Sequence, residues 1–317
     1  MRTLVTGGSG FIGRSLIDGL LARGVDVRAT CREMKPSFCR HARLEWVEVG
    51  SIGARTNWMN ALRDVDQVVH LAARAHVLQE SESESEAEAA FFKTNYLGTM
   101  RLADECRGRV RRFVYLSSIG VHGSASPQEA LTEYSAIAPD AAYGRSKAKA
   151  ESYLQTLVAR GELNCTILRP PLVYGPNAPG NLARLVRSVE RGMPLPLGSV
   201  DNRRNLIGVY HLVHVIIAIL DAESVKRTAY VVADREVVST AEIIRSIAKG
   251  LDCSPKLWPV PVGILRAAGA IAARRYMVEQ LVGNLEVDAS NFRDEFGDLQ
   301  QRSTRDGLGD MARTLRR

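Results

Sequence analysis

Three glycines, Gly7, Gly10 and Gly13, stand between the apolar run Leu4-Val5-Thr6 and the segment Ser15–Arg23, in which Leu16, Ile17, Leu20 and Leu21 recur at helical spacing. A strand that runs through glycines straight into a helix leaves the backbone few options. The glycines permit a sharp turn, and their missing side chains let a pyrophosphate reach the helix N-terminus, where free N–H groups and the helix dipole favour an anion. The spacing is Gly-x-x-Gly-x-x-Gly rather than the commoner Gly-x-Gly-x-x-Gly, so the strand–turn–helix context carries the reading more than the glycines alone.

The pattern then alternates. Strands are expected at Val25–Thr30, Leu44–Val49, Gln67–Leu71, Arg112–Ser117 and Asn164–Arg169, with helices between them that include Ala87–Gly108 and Ala142–Ala159. Such alternation implies an α/β fold built on a doubly wound parallel sheet. The run Ser81–Glu88, rich in serine and glutamate, reads as a solvated loop or helix start. Beyond Pro170 the pattern loosens and prolines gather at 170, 171, 176, 179, 194 and 196. Residues 1–170 are therefore expected to form the dinucleotide-binding domain, its sheet completed by part of 205–235, and 171–317 a smaller, interleaved substrate-binding domain. Ser239-Thr240-Ala241-Glu242 has the form of a helix capping box. Pro259–Ala273, followed by Arg274-Arg275, reads as an apolar helix that is buried or closes over substrate, in preference to one lying on a membrane.

Composition narrows the function. The 317 residues are 45% hydrophobic and 24% charged, as in an ordinary globular protein. The net charge of +7 is dispersed over Arg23, Arg28, Arg32 and Lys35, over Arg184 to Arg204 and over Arg313 to Arg317. With no basic block interleaved with aromatics, nucleic acid is a poor partner, and an anionic small molecule accounts for the charge better. Cys31, Cys39, Cys106, Cys165 and Cys253 are odd in number and widely spaced, which supports neither a disulfide framework nor a metal site. A strand starting at residue 2 leaves no room for a signal peptide. The longest apolar stretch, Leu206–Leu220, is interrupted by Tyr210, His211 and His214 and is too short to span a membrane. A cytoplasmic, soluble enzyme is expected.

Chemistry enters with Tyr143-Gly-Arg-Ser-Lys147, which sets a phenol and an ammonium four residues apart on one helix face. A nearby cation favours phenolate, so Lys147 is expected to lower the Tyr143 pKa and make it a usable acid/base. Ser118 ends the strand-like Phe113-Val114-Tyr115-Leu116-Ser117-Ser118, at the carboxyl edge where doubly wound sheets bind ligands.

Together with Thr6–Gly13, His70-Leu-Ala-Ala73, Thr94-Asn95 and Arg169-Pro-Pro-Leu-Val-Tyr-Gly-Pro176, these residues resemble the extended short-chain dehydrogenase/reductases, within them the NAD-dependent epimerase/dehydratase group acting on nucleotide sugars. The resemblance covers nearly the whole chain. It implies a Rossmann-type fold and a catalytic triad of Ser118, Tyr143 and Lys147. It also implies cofactor contacts from Gly7, Gly10, Phe11, Ile12, Gly13, Leu71, Ala72, Ala73, Tyr143, Lys147 and Pro170, with Asn95 as a supporting residue. A homodimer packed through the Tyr143 helix and its neighbour is a further implication.

The end of the second strand bears on NAD against NADP. An acidic residue there would bond the ribose 2′-hydroxyl, whereas an arginine would pair with a 2′-phosphate. Val27-Arg28-Ala29-Thr30-Cys31-Arg32 offers no acid before Glu33, and Arg32 stands where NADP-using relatives often carry arginine, so NADP is expected, with NAD the alternative. Ser51 replaces the aspartate usual in Gly-Asp-Leu and would bond adenine only weakly. On the substrate side, Arg204 falls where nucleotide-sugar enzymes place a diphosphate-binding arginine, and Asn181 is a second candidate. His211 replaces the family's aspartate, so that carboxylate's helix-capping role is expected to be lost. His122 replaces a tyrosine and is expected to be structural. The expected activity is reduction of the C4 ketone of a UDP-linked (N-acetyl-amino, possibly 6-deoxy) hexose in surface-polysaccharide synthesis. A UDP-hexose or UDP-N-acetylhexosamine 4-epimerase retaining NAD is the alternative. A dihydroflavonol-reductase-like ketone reductase and a non-enzymatic NADP sensor are weaker readings.

Overall fold

Alternation is what the chain delivers. In a computed structural model, which describes residues 1–316 apart from Pro36, 76–82, 127–128 and Ala273, it runs β1 (Arg2–Thr6), α1 (Phe11–Ala22), β2 (Asp26–Cys31), β3 (Leu44–Glu48) and β4 (Gln67–His70). Next come α2 (Glu84–Phe91), a π-helical segment (Phe92–Leu97) and α3 (Gly98–Cys106). β5 (Arg112–Leu116) passes through a short 3-10 turn (Ile119–His122) to α4 (Ala142–Ala159) and β6 (Cys165–Arg169). The remainder is β7 (Leu172–Tyr174), α5 (Asn181–Glu190), β8 (Arg204–Gly208), α6 (Val209–Asp221), β9 (Ala229–Val231) and β10 (Val237–Val238). It closes with α7 (Thr240–Gly250), α8 (Val262–Ile271), α9 (Arg275–Val282), α10 (Ser290–Phe296) and α11 (Thr304–Leu315). Ser81 and Glu82 of the polar run and Ala273 of the apolar one lie outside the described residues.

Two compact units result. The first holds Met1–His122, Ala136–Arg169 and Val213–Tyr230, the second Gly123–Ser135, Pro170–Leu212 and Val231–Arg317. A seven-stranded sheet runs in the order β3-β2-β1-β4-β5-β6-β9, and its strands from β3 to β6 all pair in parallel. Its inner strands are buried on both faces, which is why they read as near-continuous apolar runs and not as alternating ones. Leu4, Val68, Phe113 and Ile167 pack there with Leu102, Leu154 and Leu157. The strand order reverses between β1 and β4, and in such sheets the crevice beyond the carboxyl ends of the strands at that point is where ligands bind. Gly7 follows β1 and Leu71 follows β4, so both expected cofactor segments leave from that point.

In α1 the buried residues are Gly13, Leu16, Ile17 and Leu20, three of the four apolar positions the sequence spacing marks, while Leu21 is half-buried. α4 has the expected bounds. The helix expected over Ala87–Gly108 is instead three pieces, because Phe92–Leu97 widens to a π segment. In the second unit a three-stranded sheet runs β10-β8-β7. The capping box forms at α7, where Ser239 Oγ accepts from Glu242 N at 3.1 Å and Glu242 Oε2 accepts from Ser239 N at 2.8 Å.

Candidate active site

The turn after β1 is shaped for something that no side chain can occupy. Gly7 has φ +69°, and a Cβ there would lie 2.9 Å from the Ala72 backbone; one on Gly13 would lie 2.3 Å from the Gly7 carbonyl. Gly10 begins α1 without a side-chain cap, leaving the N–H groups of Phe11, Ile12 and Gly13 without helical partners. The cradle fits a dinucleotide pyrophosphate, bound by backbone N–H groups at a helix start.

Across the switch point, His70 shows why His70-Leu71-Ala72-Ala73 is built as it is. Fully buried, it lies between Thr6 Oγ1, 2.7 Å from Nδ1, and Thr99 Oγ1, 2.9 Å from Nε2. Thr99 spends its proton on the Asn95 carbonyl at 2.7 Å, so it accepts from His70 Nε2–H. Thr6 accepts from Ala72 N at 3.2 Å and donates to Nδ1. Burial, with the charge of Lys147 adding to it, lowers this imidazole to about 3 and keeps it neutral. The result is a fixed tautomer that ties the main chain at Ala72 to β1. Thr6 and Thr99 are roles that sequence reasoning did not assign, since nothing in their spacing shows that they share a histidine.

β5 delivers the serines. Ser117 is buried, and Ser118 Oγ, half-buried, accepts from Gly120 N at 3.1 Å in the turn that follows. α4 meets this turn closely: a Cβ on Gly144 would stand 2.4 Å from the Gly120 carbonyl. The glycine inside Tyr143-Gly-Arg-Ser-Lys147 therefore brings the tyrosine helix against the serine turn. Ser146 donates to the Tyr143 carbonyl at 2.7 Å and accepts from Asn95 Nδ2 at 3.0 Å, while Asn95 Oδ1 accepts from Arg74 N at 2.8 Å. Asn95 is thus a tie between the π segment, α4 and the chain beyond β4.

Lys147 is buried, its Nζ donating to the Leu116 carbonyl at 2.7 Å and standing 4.6 Å from the Tyr115 ring centre. Burial pushes its ammonium down to about 7, against the opposing pull of Glu151 one turn along α4. The lowering of Tyr143 that the sequence suggested is not found. Burial pushes the phenol up to about 12, because the ammonium is engaged at the end of β5 and desolvation dominates.

Behind these groups lies a buried chain of contacts. Arg169 bonds Glu151 through Nε at 3.2 and 3.1 Å and through Nη2 at 2.6 Å. Its Nη1 lies 3.2 Å from His122 Nε2, and His122 Nδ1 lies 2.9 Å from the Ala136 carbonyl. A carbonyl can only accept and a guanidinium can only donate, so His122 is neutral with its proton on Nδ1. As expected, it holds structure.

The other expected residues lie as follows. Arg32 follows β2, exposed, without an ion pair or hydrogen bond among the described residues. Ser51 is exposed; Leu71 and Ala73 are half-buried, and Ala72 and Pro170 are buried. In the second unit Asn181 opens α5, exposed. Arg204 Nη1 donates to the carbonyls of Gln280 and Gly283 at 2.8 and 2.9 Å, so part of that guanidinium already serves the end of α9. The carboxylate thought lost at His211 is replaced from another element. Asp234 accepts from Gly208 N, just ahead of α6, at 3.2 Å, and its Oδ1 lies 2.7 Å from His211 Nδ1.

A Rossmann-type sheet with a glycine cradle at its switch point, and a helix-borne tyrosine and lysine packed on a serine turn, define the short-chain dehydrogenase/reductase class. The NAD-dependent epimerase/dehydratase family model matches residues 3–233, and the chain belongs to that family of enzymes. A UDP-glucose 4-epimerase of Vibrio cholerae is 32% identical, covering 98% of this chain and 94% of its own length. Among solved structures, a Bacillus cereus UDP-glucuronic acid 4-epimerase in complex with UDP-glucuronic acid and NAD superposes with TM-score 0.80 at 21% identity, covering 99% of each chain. Bordetella bronchiseptica WbmG in complex with NAD gives 0.77 at 21% identity, over 98% of this chain and 92% of its own. At these identities the structural likeness is one of fold. Among the described residues no helix is long and apolar enough to cross a membrane, and no cluster of histidine, cysteine or acidic side chains could hold a metal.

Proposed function

We propose that the chain reduces the C4 ketone of a UDP-linked, N-acetyl-amino hexose with NADPH. The observation that carries the reading is the buried Lys147 in the turn of α4 that follows Tyr143, packed on the Ser118 turn through Gly144. The glycine cradle and the chain at Leu71–Ala73 would hold the dinucleotide, with Ser51 near its adenine, Pro170 toward its nicotinamide and Arg32 facing a 2′-phosphate. Held there, that group supplies the hydride. Tyr143, protonated throughout the neutral range, donates its proton to the nascent C4 alkoxide. Lys147 stabilises the phenolate left behind, and Ser118 hydrogen-bonds the reacting oxygen. Arg204 and Asn181 bind the diphosphate. The enzyme works in the cytoplasm as a homodimer built on α4 and its neighbour.

The Vibrio cholerae relative favours a second reading, 4-epimerisation with a retained NAD. In that reading Tyr143 of this chain would start as the phenolate beside Lys147, take the proton of the C4 hydroxyl as hydride leaves, and return it when the 4-keto intermediate is reduced. Incubating the purified chain with UDP-hexosamines and their 4-keto derivatives, with NADPH, with NADH or without either, separates the two when products are read by NMR. Reduction of the ketone with a preference for NADPH that Arg32→Ala abolishes supports the first. Interconversion of epimers without added cofactor overturns it in favour of the second, and loss of neither activity in Tyr143→Phe overturns both.

A further inference from the structure

Of the two roles expected of the apolar helix, burial and closure over substrate, burial is not found. In α8, Val262-Gly-Ile-Leu-Arg-Ala-Ala-Gly-Ala-Ile271, only Gly269 is buried, against Val278 of α9. Ile264 is 59% and Ile271 89% exposed, Met277 of α9 is 54% exposed, and Trp258, ahead of the hairpin, is 60% exposed. α8 and α9 are nevertheless tied to each other and to the rest of their unit. Arg266 Nε bonds Glu279 Oε1 at 2.8 Å, Arg274 N donates to the Gly269 carbonyl at 2.7 Å, and the Trp258 main chain pairs with Leu195 at 2.9 Å. An apolar helix open around most of its circumference leaves an unusual amount of hydrocarbon in water, and patches of this kind mark docking surfaces.

Charge identifies the occupant. Between residues 256 and 283 the cations are Lys256, Arg266, Arg274 and Arg275, against the single carboxylate of Glu279. Arg274 and Arg275 are exposed and have no side-chain ion pair among the described residues. A second copy would bring the same positive surplus and repel. A rigid protein face would cover one side of α8, whereas the exposed residues 263, 264, 266–268, 270 and 271 surround it. We infer that the α8–α9 hairpin docks this protein on the surface of an anionic membrane. Ile264, Ile271 and Met277 enter the acyl boundary, Trp258 and Tyr276 lie at headgroup depth, and Arg274 and Arg275 pair with lipid phosphates. Ten helical residues measure ~15 Å, about half the hydrocarbon thickness, so the hairpin lies in the interface and does not span it.

Flotation of the full chain with equimolar phosphatidylglycerol/phosphatidylcholine vesicles, compared with phosphatidylcholine alone, tests this. Partitioning is expected to be at least about tenfold higher on the anionic vesicles and to fall at least about tenfold in Arg274→Glu/Arg275→Glu. Ile264→Asp/Ile271→Asp should lose at least about tenfold as well, since two buried isoleucines are replaced by charge. Both variants should keep the parent's thermal melting and its turnover of soluble substrate, neither pair belonging to the site above. In the unmodified chain, vesicles carrying brominated acyl chains should quench a fluorescence component that is missing in Trp258→Phe, a reading independent of how the charged variants fold. Absence of partitioning, equal partitioning on both vesicles, or no Trp258 quenching would overturn the inference. So would a parent dimer that Ile264→Asp/Ile271→Asp dissociates while vesicle binding is unchanged, because the occupant would then be a second copy.

Discussion

Replacing Lys147 by methionine should abolish turnover and at the same time change how stability depends on pH. The ammonium is buried, and its pKa falls from 10.5 in the unfolded chain to about 7 in the fold. A lysine whose folded pKa is depressed penalises the fold while it is protonated. That penalty is complete below about pH 7 and diminishes as pH rises toward 10.5, since in this window the unfolded chain binds the proton and the folded chain does not. The slope rises from half of ~1.4 kcal/mol per pH unit at pH 7, where the folded lysine is half protonated, to nearly all of it by about pH 8, so between pH 7 and 9 the parent should gain ~2 kcal/mol on Lys147→Met, whatever their offset at pH 7. With an unfolding entropy of about 2.1 cal/mol/K per residue over 317 residues, this is a relative shift in Tm of ~3 °C. Differential scanning calorimetry of both proteins at half-unit pH intervals measures it. Parallel Tm curves would refute the reasoning, and so would a difference that grows toward acid in the parent's favour, because either would mean that the ammonium is well solvated.

Two further substitutions probe the surroundings of this lysine and the cradle. Glu151→Ala leaves the Arg169 guanidinium buried without its carboxylate and should cost ~3–5 kcal/mol in urea unfolding, much of which Glu151→Leu/Arg169→Met should recover; a loss below about 1 kcal/mol would show that the pair is solvated. Gly13→Ala puts a methyl 2.3 Å from the Gly7 carbonyl and should weaken binding of NADH and NADPH alike, at least about tenfold for whichever the parent binds, read by fluorescence titration, with unchanged affinity counting against the cradle.

Local grammar was readable from the residues. The glycine turn, the bounds of α4 and the capping box at α7 each depend on neighbours within a few positions, and each formed where the spacing indicated. What spacing could not convey are meetings between distant segments. The Tyr143 phenol was expected to acidify because Lys147 is near in sequence, yet the direction of that ammonium is decided by Leu116 and Tyr115 on a strand 31 residues earlier. Asp234 replacing the carboxylate missing at His211 is another such meeting, across 23 residues. Gly144 carried a local signal, a glycine within the first turn of a good helix, that asked for a close neighbour without saying which. The burial that was one of two readings of α8 failed for the opposite reason: apolar composition implies burial only when something within the chain is available to cover it.

The π segment at Phe92–Leu97 has a consequence for what this enzyme's descendants can lose. A π turn holds one residue more than the α-helix around it and is the less favourable form. Removing that residue would give α2 and α3 an unbroken helix, and would turn everything beyond the cut by roughly 100°. Thr99 would then leave His70, whose Nε2–H would lose the acceptor that fixes the tautomer, and Nδ1 would no longer be held as the acceptor for Thr6, which bonds the Ala72 main chain. A deletion that improves the helix thus dismantles the wall of the proposed cofactor cleft, and on that reading the chain keeps its extra residue as long as it keeps its reaction.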